Sequence, residues 1–173
     1  DLEKEIYDKL DNSNCCIISG ISGIGKSALA ANIAETIRPN FDIIIWCDAR
    51  ELSNIADLSD IDIRRSGTRH NLIGLMRRHK CLLILDDTSL TREQISRINY
   101  GESKVIVTCQ ISSDPDATIV GNLKLIPARK LLEKGTPVAC PDEVFKRVYS
   151  AIGGYPLLLC ALNRIAKEEG WSA

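Results

Sequence analysis

The chain predicts an α/β fold, a five-stranded parallel sheet organised around a glycine-rich loop and followed by a small helical part. Three observations carry that prediction. A short apolar run, Cys15-Cys16-Ile17-Ile18-Ser19, leads directly into G-I-S-G-I-G-K-S at Gly20 to Ser27, and a helix-forming stretch follows over 28–37. Apolar strand-like runs then alternate with helical segments, which implies a parallel sheet covered on both faces. A second apolar run, Leu82-Leu83-Ile84-Leu85, ends in two carboxylates, Asp86 and Asp87. In a parallel sheet such strand ends face the ligand crevice.

The elements follow in order. Residues 2–10 form a short amphipathic helix leading into the first strand at Cys15. After the glycine loop, the Ala- and Leu-rich stretch stops before Pro39, where a helix has to end. Ile43-Ile44-Ile45-Trp46-Cys47 is the second strand, and residues 50–68 read as polar and irregular. Residues 71–78 read as helix, closed by Arg77-Arg78-His79-Lys80, cations that offset the helix dipole. The third strand is 81–86. A short helix over 91–98 carries a capping box, Thr91 with Gln94. Lys104-Val105-Ile106-Val107-Thr108 is the fourth strand, S-S-D-P-D at 112–116 is turn chemistry, and 122–126 reads as a fifth strand. A helix from Pro141-Asp142 to about Ile152 is broken by Gly153-Gly154-Tyr155-Pro156, and 157–169 forms another. This places an α/β domain at 1–127 and a helical domain at 128–173.

The composition excludes several classes. The 173 residues are 45% hydrophobic and 26% charged, with a formal charge of −1, an ordinary balance for one globular domain. No basic patch suits nucleic acid, and no stretch is long enough to span a membrane. The seven cysteines have no C-x-x-C spacing and only two histidines for company. Cys15, Cys16, Cys47, Cys81, Cys109 and Cys160 lie in or beside apolar runs and read as small core residues of a reducing, cytoplasmic compartment. The chain begins at Asp1 without an initiator Met, as a piece of a longer protein would.

The loop assigns its own chemistry. Gly20 and Gly25 permit backbone angles that a Cβ opposes, so the N–H groups from Gly23 through Ile24, Gly25 and Lys26 to Ser27 can wrap a polyphosphate. Ser22 and Ala28 flank that cradle. Lys26 brings a point charge to the β/γ-phosphates, the Ser27 hydroxyl can ligate Mg²⁺, and the helix presents its positive end to the same anion. A chance glycine-rich turn would lack this flanking strand and helix. Asp86 would then stand near the Mg²⁺ held by Ser27, and Asp87 would face the γ-phosphate, placed to orient or deprotonate a water. Thr108, ending the fourth strand, could reach a phosphate oxygen or that water. Its alternative is strand-end polarity alone.

Together these residues resemble the NB-ARC group of STAND-class signalling ATPases, and the resemblance covers nearly the whole chain. It rests on the phosphate loop Gly20–Ser27, on F-D-I-I-I-W at 41–46, on the paired-Asp Walker B of 82–87, on the sensor strand Val105-Ile106-Val107-Thr108, and on Gly154-Tyr155-Pro156-Leu157, similar to the family's G-x-P-L motif. The resemblance implies an ASCE-type sheet ordered 5-1-4-3-2, with Pro156 and Leu157 beside the adenine. It implies an ATP/ADP switch with Mg²⁺, in which the nucleotide bridges the α/β and helical parts and exchange releases an oligomerising surface. It further implies sensor and effector domains in the same parent chain and self-assembly only on activation. Slow hydrolysis would reset the switch. Two departures stand out. Gln110 occupies the place of an Arg that reaches the γ-phosphate in the family, and the segment before Pro141 shows no clear additional helix. Two rivals remain at this stage. One is a nucleotide-binding scaffold that does not hydrolyse. The other is a small-molecule kinase, for which Arg129 and Lys130 are the only candidate lid cations.

Overall fold

Strands whose two faces are both covered have no polar side to show, and two strands carry that signature. The structure, a computed structural model, describes residues 2–59, 61–65, 67–98 and 101–171. All five residues of β1 (Cys15–Ser19) are buried, as are the first five of β5 (Cys81–Asp86). With β2 (Ile43–Asp48), β6 (Lys104–Cys109) and β7 (Thr118–Ile119) they form a five-stranded parallel sheet in the order β2-β5-β6-β1-β7. Numbered as strands of the main sheet alone, this is the expected order 5-1-4-3-2.

The pleat sorts the sheet residues into two cores. Cys15, Ile17, Ile45, Leu83, Leu85, Val105 and Val107 point to one face, where they meet Leu58 of α3 (Ile55–Ser59), Leu72 and Met76 of α4 (Leu72–Arg78) and Ile95 of α5 (Arg92–Ser96). Cys16, Ile18, Leu82, Ile84 and Ile106 point to the other. There they meet Ile6 and Leu10 of α1 (Leu2–Ser13) and Ala30 and Ile33 of α2 (Lys26–Ile37). Register ties the strands that carry the site: Asp48 lies opposite Asp86, and Ile18 opposite Thr108. Asn71 caps α4 through Gly74 N–H, and Thr91 and Gln94 form the full capping box of α5.

Three parts of the sequence reading are corrected here. Residues 50–68 are not irregular throughout: they contain α3 and most of a two-stranded antiparallel hairpin, β3 (Asp62–Arg65) with β4 (Thr68–Asn71). The fifth strand is not at 122–126 but at Thr118–Ile119, where two residues pair with Ile18 and Ser19. Its position is held by a polar cluster: Lys9 Nζ donates to Thr118 Oγ1 at 3.0 Å, and that hydroxyl donates to Glu5 at 2.7 Å. Finally, an additional helix does precede Pro141: α6 (Leu125–Leu132). Pro127 is its third residue, in the first turn, where a missing N–H costs no helical hydrogen bond.

The chain divides into two compact units: residues 1–20 with 26–120, and residues 21–25 with 121–173. The second unit has its own small core of Ala128, Leu132, Cys140, Phe145 and Leu159, drawn from α6, from α7 (Asp142–Ile152) and α8 (Pro156–Glu169), and from the segment between them. Asn163 of α8, buried, donates to the carbonyls of Leu132 and Lys134 at 2.7 and 3.0 Å and so closes the C-terminal end of α6. The cysteine reading holds for Cys15, Cys16, Cys81 and Cys109, which are buried, as is Cys140. Cys47 is half-buried and Cys160 is exposed, contrary to expectation. Burial pushes the Cys15 and Cys16 thiols up to about 11.

Candidate functional site

The glycine loop leaves β1 at Ser19 and enters α2 at Lys26. Gly20 N–H donates to the Cys109 carbonyl at 3.3 Å, which ties the loop's entry to the end of β6. Gly23 and Gly25 have φ of +74° and +100°, angles that side chains oppose. At Gly25 nothing lies within 4 Å of an added Cβ, so the constraint there is the backbone angle alone. Ile24 is buried, Ser22 and Ala28 are exposed, and Lys26, the first residue of α2, is only 7% exposed.

At the strand ends a hydrogen-bonded chain joins four predicted residues. Ser27 Oγ donates to Asp86 Oδ1 at 2.7 Å, and Thr108 Oγ1 donates to the same oxygen at 2.6 Å. The Thr108 hydroxyl in turn accepts from the Asp87 N–H at 2.9 Å, and its carbonyl accepts from Thr88 N–H at 2.9 Å. Thr108 is fully buried and its single donor is taken by Asp86. What it does in this arrangement is align the two aspartates. Asp87 is held at φ +61°, a left-handed conformation that Asp tolerates better than most residues.

The donor set fits a hard divalent cation. Ser27 and Asp86 offer oxygen ligands already in contact with each other. Among the described residues no group of three or more His, Cys, Asp or Glu is arranged to hold a metal. One or two protein oxygens, completed by phosphates, is the usual way Mg²⁺ is bound.

Two neighbours were not singled out from the sequence. Asp48 ends β2 in register with Asp86, and Arg50 follows it, with Arg50 Nε 2.9 Å from Asp48 Oδ1. The bonds from Arg50 lower the Asp48 carboxyl to about 2. The W-C-D ending of β2, parallel in form to the L-D ending of β5, was the available signal. Tyr155 is the other: its hydroxyl donates to the Ser22 carbonyl at 2.5 Å. Gln110 is exposed just beyond β6.

In the second unit, the G-x-P-L segment is built as a helix junction. Gly153, at φ +60°, ends α7, and Pro156 starts α8 at its first position, buried. Gly154 is required by space as well as angle, since an added Cβ would lie 2.1 Å from the Leu123 carbonyl oxygen. Leu157 is exposed. Arg129 is engaged by Glu133, Asp142 and the Cys140 carbonyl, at 2.9, 2.6 and 2.8 Å. Of the two cations singled out for a kinase lid, Arg129 is therefore part of the helical unit's own scaffold.

Residues 2–64 match the model of a family described as Novel STAND NTPase 3. No curated protein matches the chain. Among solved structures it is similar to the Walker-type ATPase PABY2304 of Pyrococcus abyssi, with 13% identity and a TM-score of 0.67 over 98% of this chain and 67% of that one. It is also similar to the replication initiator DnaA bound to AMPPCP and single-stranded DNA, with 16% identity, a TM-score of 0.56, and 96% of this chain against 60% of that one. A third similar structure is NtrX from Brucella abortus in complex with ADP, at 13% identity and a TM-score of 0.57, covering 95% of this chain and 48% of that one. The chain thus spans about half to two thirds of these proteins' length. The likeness to these structures shows the fold, an α/β P-loop fold, and the family match over 2–64 agrees with the STAND resemblance.

Proposed function

We propose that this chain is the ATP/ADP switch core of a STAND-type signalling protein, reset by slow Mg²⁺-dependent hydrolysis. The observation that supports this most is the chain Ser27–Asp86–Thr108–Asp87, because it links a phosphate-loop hydroxyl to a Walker-type carboxylate pair. In this reading the N–H groups of 23–27 and the Lys26 ammonium bind the polyphosphate, with Ser22 and Ala28 at its edges. Ser27 and Asp86 hold Mg²⁺, whose charge offsets that of the phosphates. Asp87, its N–H fixed by Thr108, orients a water and accepts its proton. Pro156 and Leu157 serve the base. The α/β domain takes residues 1–127 and the helical domain 128–173. Sensor and effector domains of the parent chain and a homo-oligomer formed on activation complete the scheme, in the cytoplasm and without nucleic acid or membrane. Among the described residues, no helix is long and apolar enough to cross a membrane.

A second reading, a scaffold that binds nucleotide without hydrolysing it, is favoured by one observation: neutral Gln110 stands where the resembling family places a charge-stabilising Arg. Identification of the nucleotide that co-purifies, followed by competition between ATP and GTP, tests the first step. Adenine nucleotide is expected to co-purify and ATP to bind better, and preference for GTP would remove the family reading. Single-turnover hydrolysis separates the switch from the scaffold.

A further inference from the structure

The middle of the phosphate loop packs as part of the helical unit, since residues 21–25 cluster with 121–173. Its partners there are specific. Tyr155, the residue before the first turn of α8, donates its phenolic hydrogen to the Ser22 carbonyl oxygen at 2.5 Å, across 133 positions of sequence. Gly23 lies against Tyr155 and Leu157: a Cβ there would come within 2.7 Å of Tyr155 Oη and 2.8 Å of Leu157 Cβ.

The consequence follows from the geometry of a peptide. The Ser22 C=O and the Gly23 N–H belong to one planar trans unit, so they point in opposite directions. Holding the carbonyl on Tyr155 therefore fixes the direction of the N–H. Gly23 adopts φ +74°, an angle at which successive N–H groups converge into an anion-binding concavity. Were this peptide to turn over, a carbonyl oxygen would face the phosphate in place of a hydrogen. Glycine at position 23 makes that turnover easy, because no side chain resists it. The phenol supplies the restraint that the glycine lacks. Phenylalanine would fill the same space and give no restraint.

We propose that Tyr155 is a positioning residue for polyphosphate binding, which holds the Ser22–Gly23 peptide with its N–H toward the phosphates. The proposal rests on the nucleotide-binding reading above. It makes the residue between Gly154 and Pro156 a determinant of phosphate affinity, separate from any contact of Pro156 with the base.

The test is Tyr155→Phe in this chain, with titration of MgADP by calorimetry, AMP affinity by competition, and thermal unfolding without nucleotide. The expected result is an unchanged unfolding temperature, MgADP affinity lower by about 3–10-fold, as for one neutral hydrogen bond, and AMP affinity unchanged. Wild-type MgADP affinity in the variant would overturn the proposal. Equal losses for MgADP and AMP would also overturn it, because they would place the effect on the nucleoside or on the fold as a whole. A wild-type chain that binds neither nucleotide would remove the nucleotide-binding reading itself and this proposal with it.

Discussion

At the scale of single residues, the two aspartates that end β5 have different neighbours and should fail differently. Asp86 receives two hydroxyl hydrogens on one oxygen, from Ser27 and Thr108. Asp87 has its N–H fixed by Thr108 and a left-handed backbone. Asn tolerates that backbone as well as Asp does, so Asp87→Asn should fold normally. It is expected to lower hydrolysis by about 10²–10⁴-fold, the usual loss for a general base, with far less effect on ATP affinity. Asp86→Asn should instead weaken the dependence of ATP binding on Mg²⁺. Single-turnover rates and Mg²⁺ titrations distinguish the two, and wild-type behaviour in both variants would move the chemistry elsewhere. The identities of these residues were legible because the loop and the carboxylate pair are contiguous motifs. The alignment role of Thr108 was not, because it depends on how β5 and β6 sit in register, and the sequence presents Thr108 only as a polar strand end. Tyr155 was invisible as a contact for a similar reason: its partner is 133 residues away.

At the scale of elements, buried strands announce themselves and short ones do not. β1, β5 and β6 are apolar runs bounded by turn residues, so the sequence locates them to within a residue or two. β7 is two residues long, with one buried, and its place depends on Thr118 meeting Glu5 and Lys9 of α1. No local pattern encodes such a partner. The alternation N-L-K-L-I at 122–126 was the stronger strand signal, yet Leu125 and Ile126 open α6. Pro127 then disguised the helix, because proline in a first turn resembles proline in a break. The junction between α7 and α8 was read correctly, and it supports a prediction. Gly154→Ala should destabilise the helical unit by about 1–3 kcal/mol in denaturant unfolding, through a positive φ and the overlap with the Leu123 carbonyl. Gly121→Ala is the matched control: nothing lies within 4 Å of its added Cβ, and it should unfold with the parent.

At the scale of the molecule, the sheet order was carried by resemblance and by the strand–loop–helix start, whereas the assignment of the loop's middle to the helical unit had no sequence signal. Two features point to slow chemistry: Gln110 in place of a cation, and an aspartate where faster relatives of the loop use the longer glutamate. We expect this chain to be a monomer with ADP bound, and its ATP turnover to lie far below the typical enzyme value of about 10 s⁻¹. Light scattering with ADP and with a non-hydrolysable ATP analogue checks the first expectation. A stable ATP-dependent oligomer of these residues alone would show that the assembly surface needs nothing further.

The unequal shelter of the seven thiols gives the protein a built-in chemical gauge. Cys160 stands exposed on α8, Cys47 is half-covered, and five others are enclosed. An alkylating reagent applied to the native chain should therefore mark the helical unit first, at a single known position. The pair in β1 stays protonated as well as hidden, since burial holds both thiols near 11. Adducts beyond Cys160 and Cys47 would then count molecules that have opened, so mass spectrometry that maps them after a timed pulse of reagent reads the stability of the sheet, through Cys15, Cys16, Cys81 and Cys109, separately from that of the helices, through Cys140.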